Sequence, residues 1–127
     1  GGEQLRPNIH INDMVRSYEL IINAEKKLVN GEIFNAGWEN KSVNEIAKDV
    51  QNVIGNDVKI IKKETNDDRS YHISSEKIKK ILNFKTNFTI KDAVMDLKKA
   101  FDSNYLQSPL TNEMYFNIKR MKNIDLS

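Results

Sequence analysis

The sequence predicts a small α/β lobe in which helices dominate and three or four short strands lie between them. Three observations lead there. Apolar residues recur at helical spacing in four stretches, short β-branched runs are bounded by turn residues, and glycines stand at the ends of these pieces. The strands are too few and too short for a large sheet, so the piece is expected to lean on something larger.

The chain opens extended, because Pro7 restricts Arg6 to β or polyproline geometry. Ile9, His10 and Ile11 read as a strand-like run. Asn12 or Asp13 is the expected cap of a first helix carrying Met14, Val15, Tyr18, Leu20, Ile21 and Ile22, since each accepts from backbone N–H groups of a first turn. Gly31 marks the return, Ile33 to Ala36 reads as a strand, and Gly37 ends it. Ser42 and Glu45 have the spacing of a capping box, with Ile46, Ala47, Val50, Val53 and Ile54 as the apolar stripe behind it. Gly55 suits the C-cap. Val58 to Lys62 reads as a strand and residues 66–69 as a polar loop. Tyr71 to Ile73 is extended, Ser74 or Ser75 caps a helix through Ile78, Ile81 and Leu82, and Thr89 precedes a last strong helix ending near Phe101. The pattern weakens after Ser103. Residues 1–103 are therefore read as one lobe and 104–127 as an arm, either packed on a partner or forming a short helix on the lobe itself.

Composition narrows the function classes. Among 127 residues, 20 basic and 18 acidic ones leave a net charge of +2, too balanced to imply nucleic acid, and no aromatic–basic stripe suits a single strand. No cysteine is present, which excludes disulfides, thiolate metal sites and a cysteine nucleophile. No apolar run approaches the roughly 20 residues that span a bilayer. With no signal peptide at its start, the chain is expected to be cytoplasmic, with no membrane partner.

Two loop arginines are the most informative candidates for a site. A guanidinium presents a planar fork of donors that matches phosphate oxygens, so Arg6 and Arg69 suit an anionic ligand. Each can instead pair with a nearby acid, Glu3 or Asp13 for Arg6 and Asp67 or Asp68 for Arg69, and sequence mechanics alone favour that pairing. His10 is a packed residue before it is a general acid or base, and neither it nor His72 has a second ligand at zinc spacing. Trp38 either stacks on a flat ring or shields the edge of the core. Tyr115 and Lys119 have the Tyr-x-x-x-Lys spacing that would place phenol and ammonium on one helix face. That spacing is common by chance, and no glycine-rich turn precedes it, so it is read as a decoy. No dinucleotide or P-loop fingerprint is present.

Arg6-Pro7-Asn8-Ile9-His10-Ile11-Asn12-Asp13 resembles the Arg-Pro-x-Ile-His-Val-x-Asp motif in the C-terminal part of the extended short-chain dehydrogenase/reductases, the NAD-dependent epimerase/dehydratases of nucleotide sugars. Gly31 to Gly37 resembles their Gly-x-x-Phe-Asn-x-Gly strand, with Ser42 to Ala47 similar to the helix start that follows. Asp67 to Ile78 is similar to Asp-x-Arg-x-Tyr-x-x-Ser-x-x-Lys-Ile, and the helix from Thr89 to Phe101 also fits. The resemblance covers residues 4–102.

It implies a substrate lobe that clasps the diphosphate of a nucleoside-diphosphate sugar, with Arg6 and Arg69 on the phosphates, which reverses the pairing preference above. It also implies a Rossmann domain, upstream of Gly1 in the same protein, that binds NAD and supplies the catalytic residues. This chain alone would hold no cofactor and catalyse nothing. A homodimer is compatible with the resemblance. The competing expectation is a non-catalytic binding or interaction module on the same scaffold.

Overall fold

A computed structural model describes residues 1–64 and 69–124. The chain divides into two compact units, Gly1–Met95 and Asp96–Ser127. Among the described residues it is a small mixed α/β protein with six helices and one two-stranded sheet. The first unit contains β1 (Leu5–Asn8), α1 (Ile11–Asn23), α2 (Lys26–Val29), β2 (Glu39–Ser42), α3 (Val43–Ile54), α4 (Glu76–Leu82) and the start of α5 (Ile90–Asp102). The second contains the end of α5, a 3₁₀ turn at Glu113–Tyr115 and α6 (Asn117–Asn123).

The strands β1 and β2 pair antiparallel, Leu5 opposite Ser42 and Asn8 opposite Glu39. This departs from the sequence expectation at three places. Ile9 to Ile11 is not a strand: β1 ends at Asn8, and Ile11 already begins α1. Residues 33–36 and 58–62 belong to no strand either. A β-branched run favours extended backbone, but a strand also needs a ladder partner. The Ile33 carbonyl instead accepts from the Lys77 ammonium at 2.9 Å, and the Val58 carbonyl from the Gln51 side chain at 2.7 Å.

Helix ends follow local chemistry more closely. Ser42 caps α3 by accepting from the Glu45 N–H at 3.2 Å, and the Glu45 carboxylate accepts the Ser42 N–H at 2.8 Å. The expected capping box is thus formed. A second box opens α5, where the Thr89 hydroxyl accepts from the Asp92 N–H and the Asp92 carboxylate from the Thr89 N–H at 2.7 Å. Gly55 closes α3 with φ 145° and ψ 156°, and its N–H donates to the Gln51 carbonyl. That backbone conformation is essentially reserved for glycine.

The cap of α1 is His10, not Asn12 or Asp13: its Nδ1 accepts from the Asn12 N–H at 3.2 Å. Asp13 is fully buried and is used elsewhere. Its carboxylate accepts the backbone N–H groups of Asn87, at 2.9 and 3.1 Å, and of Phe88 at 3.0 Å, and it pairs with the Arg16 guanidinium at 2.9 Å. A buried carboxylate is tolerated when its lone pairs are met in this way. The bonds from these two backbone N–H groups tie α1 to the segment entering α5, and His10 stacks on Phe88 with ring centroids 4.5 Å apart. Ile78, Phe84 and Val94 form the buried apolar core among the described residues.

Candidate functional site

The segment from Ser70 to Ser75 belongs to no helix or strand and is stitched to the sheet region by side chains as much as by backbone. The Tyr71 N–H donates to the Leu5 carbonyl at 3.1 Å, and the Leu5 N–H to the Ser70 hydroxyl at 2.9 Å. The Asn40 side chain meets Ile73 twice, donating to its carbonyl and accepting from its N–H, both at 3.0 Å. The Ser75 hydroxyl accepts from the Gly37 N–H at 2.8 Å and donates to the Gly37 carbonyl at 3.0 Å. For this reason Ser75 occupies the N-cap position of α4 without making a side-chain cap bond.

This stitching brings the two candidate arginines together. Arg6 lies on β1 and Arg69 directly before the stitched segment. The Arg6 Nη1 donates to the Arg69 carbonyl at 2.6 Å and to the Leu5 carbonyl at 2.9 Å. Both guanidinium groups lie over the Tyr71 ring, with the Arg6 carbon 5.5 Å and the Arg69 carbon 6.0 Å from its centroid. Cation–π contacts of this length hold a planar cation against a planar ring. A guanidinium only donates hydrogen bonds, so the cluster is suited to hold an anion rather than to move protons. Of the acids weighed as local partners, Asp13 is engaged with Arg16 and the backbone N–H groups of residues 87 and 88, and Glu3 accepts from the Asn44 side chain. Asp67 and Asp68 lie outside the described residues.

The register sets Lys41 opposite Arg6. Lys41 contacts Asp49 at 2.6 Å and Glu39 at 3.3 Å, and the hydrogen bond to Asp49, followed by that to Glu39, raises its pKa above the usual 10.5 against a desolvation cost. Its charge is thus committed to the β2–α3 corner. The sequence reading missed this pairing, as well as Tyr71 as the shared platform. Tyr71 had one available signal, its position two residues after an arginine in an extended stretch.

The other singled-out residues are placed apart from the pair. His10 is a buried cap. Trp38 is 57% exposed and, with His72, lines a cavity beside α4. In the second unit, Tyr115 ends the 3₁₀ turn while Lys119 lies in α6, and Phe116 between them has non-helical φ −122° and ψ 87°. The two therefore do not share one helix face, as the tyrosine–lysine chemistry requires.

A dinucleotide does not fit these residues. The strand-to-helix junctions among them, from Asn8 to Ile11 and from Ser42 to Val43, contain no glycine, and their helix N-termini are already capped by His10 and by Ser42 with Glu45. No group of three or more potential metal ligands occurs among the described residues, and no helix among them is long and apolar enough to cross a membrane. Comparison with known proteins found no matching family, no matching curated protein and no matching solved structure.

Proposed function

We propose that this chain is the substrate-binding part of an NAD-dependent nucleotide-sugar epimerase/dehydratase, and that Arg6 and Arg69 hold the diphosphate of the sugar nucleotide. The observation that favours this reading is the convergence of two guanidinium groups, distant in sequence, on the Tyr71 ring. Paired arginines held at a fixed angle suit the adjacent oxygens of a diphosphate, and each charge-assisted bond favours binding over water. The contribution is positioning: a substrate fixed at its phosphates presents its sugar at a set distance and angle to a reacting group. Hydride transfer would belong to NAD on a separate domain of the same protein.

A second observation supports membership in something larger. Ile11, Val15, Tyr18 and Ile22 recur at helical spacing along α1, and all are exposed, by 68, 49, 61 and 78%. An apolar stripe of this kind on a globular helix is ordinarily covered.

The test is a titration of the chain with inorganic pyrophosphate, followed through the arginine side-chain NMR signals. Saturable binding is expected, weakened about tenfold or more in R6A and in R69A. Binding that is unchanged in both variants would remove the arginines from the site.

A further inference from the structure

The first unit contains a cavity of about 500 Å³ that includes neither arginine nor Tyr71 in its lining. It lies between Gly37 and Trp38, the segment 72–75 before α4, and residues 84–86 after it. Its size falls within the range of small-molecule sites.

Its walls divide by chemistry. Phe84, buried to 3% exposure, lines it, and so does the half-exposed indole of Trp38. A large aromatic ring left open beside a cavity offers a stacking face for another flat ring. Lys79, Lys85 and Thr86 belong to the same lining, two cationic residues against one acid there, Glu76. Lys79 has one local acid, Glu76, at a loose 3.5 Å, with both side chains well exposed. Lys85 makes no salt bridge among the described residues. The Lys85 backbone is meanwhile fixed, its carbonyl accepting from Arg16 at 3.2 Å, so the side chain projects from an ordered turn. The Asn83 C-cap, at φ 51° and ψ 32°, sets the direction in which this turn leaves α4.

We propose that this cavity binds a small planar aromatic anion, its ring against Trp38 and its acidic group between Lys79 and Lys85. The site is separate from the diphosphate-holding arginines and does not depend on that reading. An aromatic carboxylate and a nucleoside monophosphate share the required chemistry, and binding distinguishes them.

Trp38 is the only tryptophan in the chain, so its emission reports on this cavity alone. The experiment titrates the chain with benzoate and, separately, with uridine monophosphate, and follows Trp38 fluorescence. Saturable quenching by at least one probe is expected, and the probe that acts identifies the acidic group as carboxylate or phosphate. In the Lys79→Ala/Lys85→Ala double variant the affinity should fall about tenfold or more, and in Lys59→Ala, an exposed lysine outside the lining, it should be unchanged. Both lysines are exposed, so the double variant should keep the parent circular dichroism spectrum. No saturable change with either probe overturns the proposal. So does quenching that survives loss of both lysines, quenching that disappears in Lys59→Ala, or equal quenching by uncharged benzyl alcohol.

Discussion

The Arg6 guanidinium donates to the backbone carbonyl of Arg69 at 2.6 Å, so the first candidate arginine is oriented by the main chain of the second. This contact depends on the planar fork and not on charge alone. Lysine at position 6 would keep the charge but, as a point donor on a flexible stem, would not hold the same plane against Tyr71. R6K should therefore bind pyrophosphate several-fold more weakly than the parent, and a double-mutant cycle of R6A with R69A should show coupling of about 0.5 kcal/mol or more. Additive losses would mean that the two side chains act independently.

Asp13 fastens α1 to the segment entering α5. Fully buried, its carboxylate receives two backbone N–H groups and a guanidinium. Alanine there would leave two partly buried backbone N–H groups without this acceptor and the Arg16 charge without its acid. The expected loss is about 3 kcal/mol in urea denaturation. Asparagine keeps the volume but turns one acceptor into a donor facing donors, so D13N should recover only part of it. A loss below about 1 kcal/mol in D13A would show that water replaces these bonds.

What the sequence revealed and what it hid follow from this. Helix starts are local: the Ser42–Glu45 box and the Gly55 cap depend on a few consecutive residues, and both could be read directly. The role of Asp13 is not local, because its acceptors' partners lie more than seventy positions away. The sheet was hidden for another reason. The opening stretch was legible as extended from Pro7, but its partner Glu39-Asn40-Lys41-Ser42 is entirely polar and has no apolar alternation to report a strand. The runs that do look like strands, around Ile33 and Ile60, lack a ladder partner among the described residues. Of the site, both arginines were legible as residue types, but their meeting was not, because it depends on Ser70, Asn40 and Ser75 fastening a segment whose own pattern is unremarkable.

Part of the acid stability should trace to the two capping boxes, beside Glu113, whose carboxyl is held below its ordinary 4.5 by the Asn123 side chain first and Arg120 second. The Glu45 carboxyl is held below its ordinary 4.5 by the Ser42 backbone N–H first and the Ser42 hydroxyl second. The Asp92 carboxyl is held below 3.8 by the Thr89 hydroxyl and then its N–H. A depressed folded-state value means that the unfolded chain binds more protons in that range, so stability rises with pH there. The contribution is present above the ordinary values and is lost as pH falls through the folded ones. Denaturation midpoints measured from neutral pH down through 4.5 and 3.8 should fall, and S42A with T89A should flatten that fall. At neutral pH each cap loss should cost about 1 kcal/mol. An acid limb identical to the parent's would assign the pH dependence to other carboxylates.

Gly55 stands at φ 145° and ψ 156°, and a Cβ built there lies 2.6 Å from the Asp57 carboxylate oxygen. The side chain of Asp57 can rotate away, but the backbone conformation cannot be relieved without moving the end of α3. G55A should destabilise the chain by about 1–3 kcal/mol. Gly31 has φ 76° but open space around it, so G31A should cost less, about 1 kcal/mol. Equal costs at the two positions would mean that the exit from α3 relaxes freely.

The exposed stripe on α1 gives the chain a cause for self-association. Ile11, Val15, Tyr18 and Ile22 run along about 16 Å of helix at 1.5 Å per residue. Left in water, such a face is covered by whatever apolar surface is near, including a second copy of the chain. Sedimentation velocity of the isolated chain should show association that increases with concentration. Tyr18→Lys with Ile22→Lys places two charges on the stripe at residues 61 and 78% exposed, so it should suppress the association while changing folding stability by less than about 1 kcal/mol. If the variant associates as before, α1 is not the contact. If the variant unfolds, the stripe is packed in solution. If it remains folded and monomeric, α1 is an open face in the parent and the contact through which the copies associate, and association in the parent should then protect α1 from hydrogen exchange.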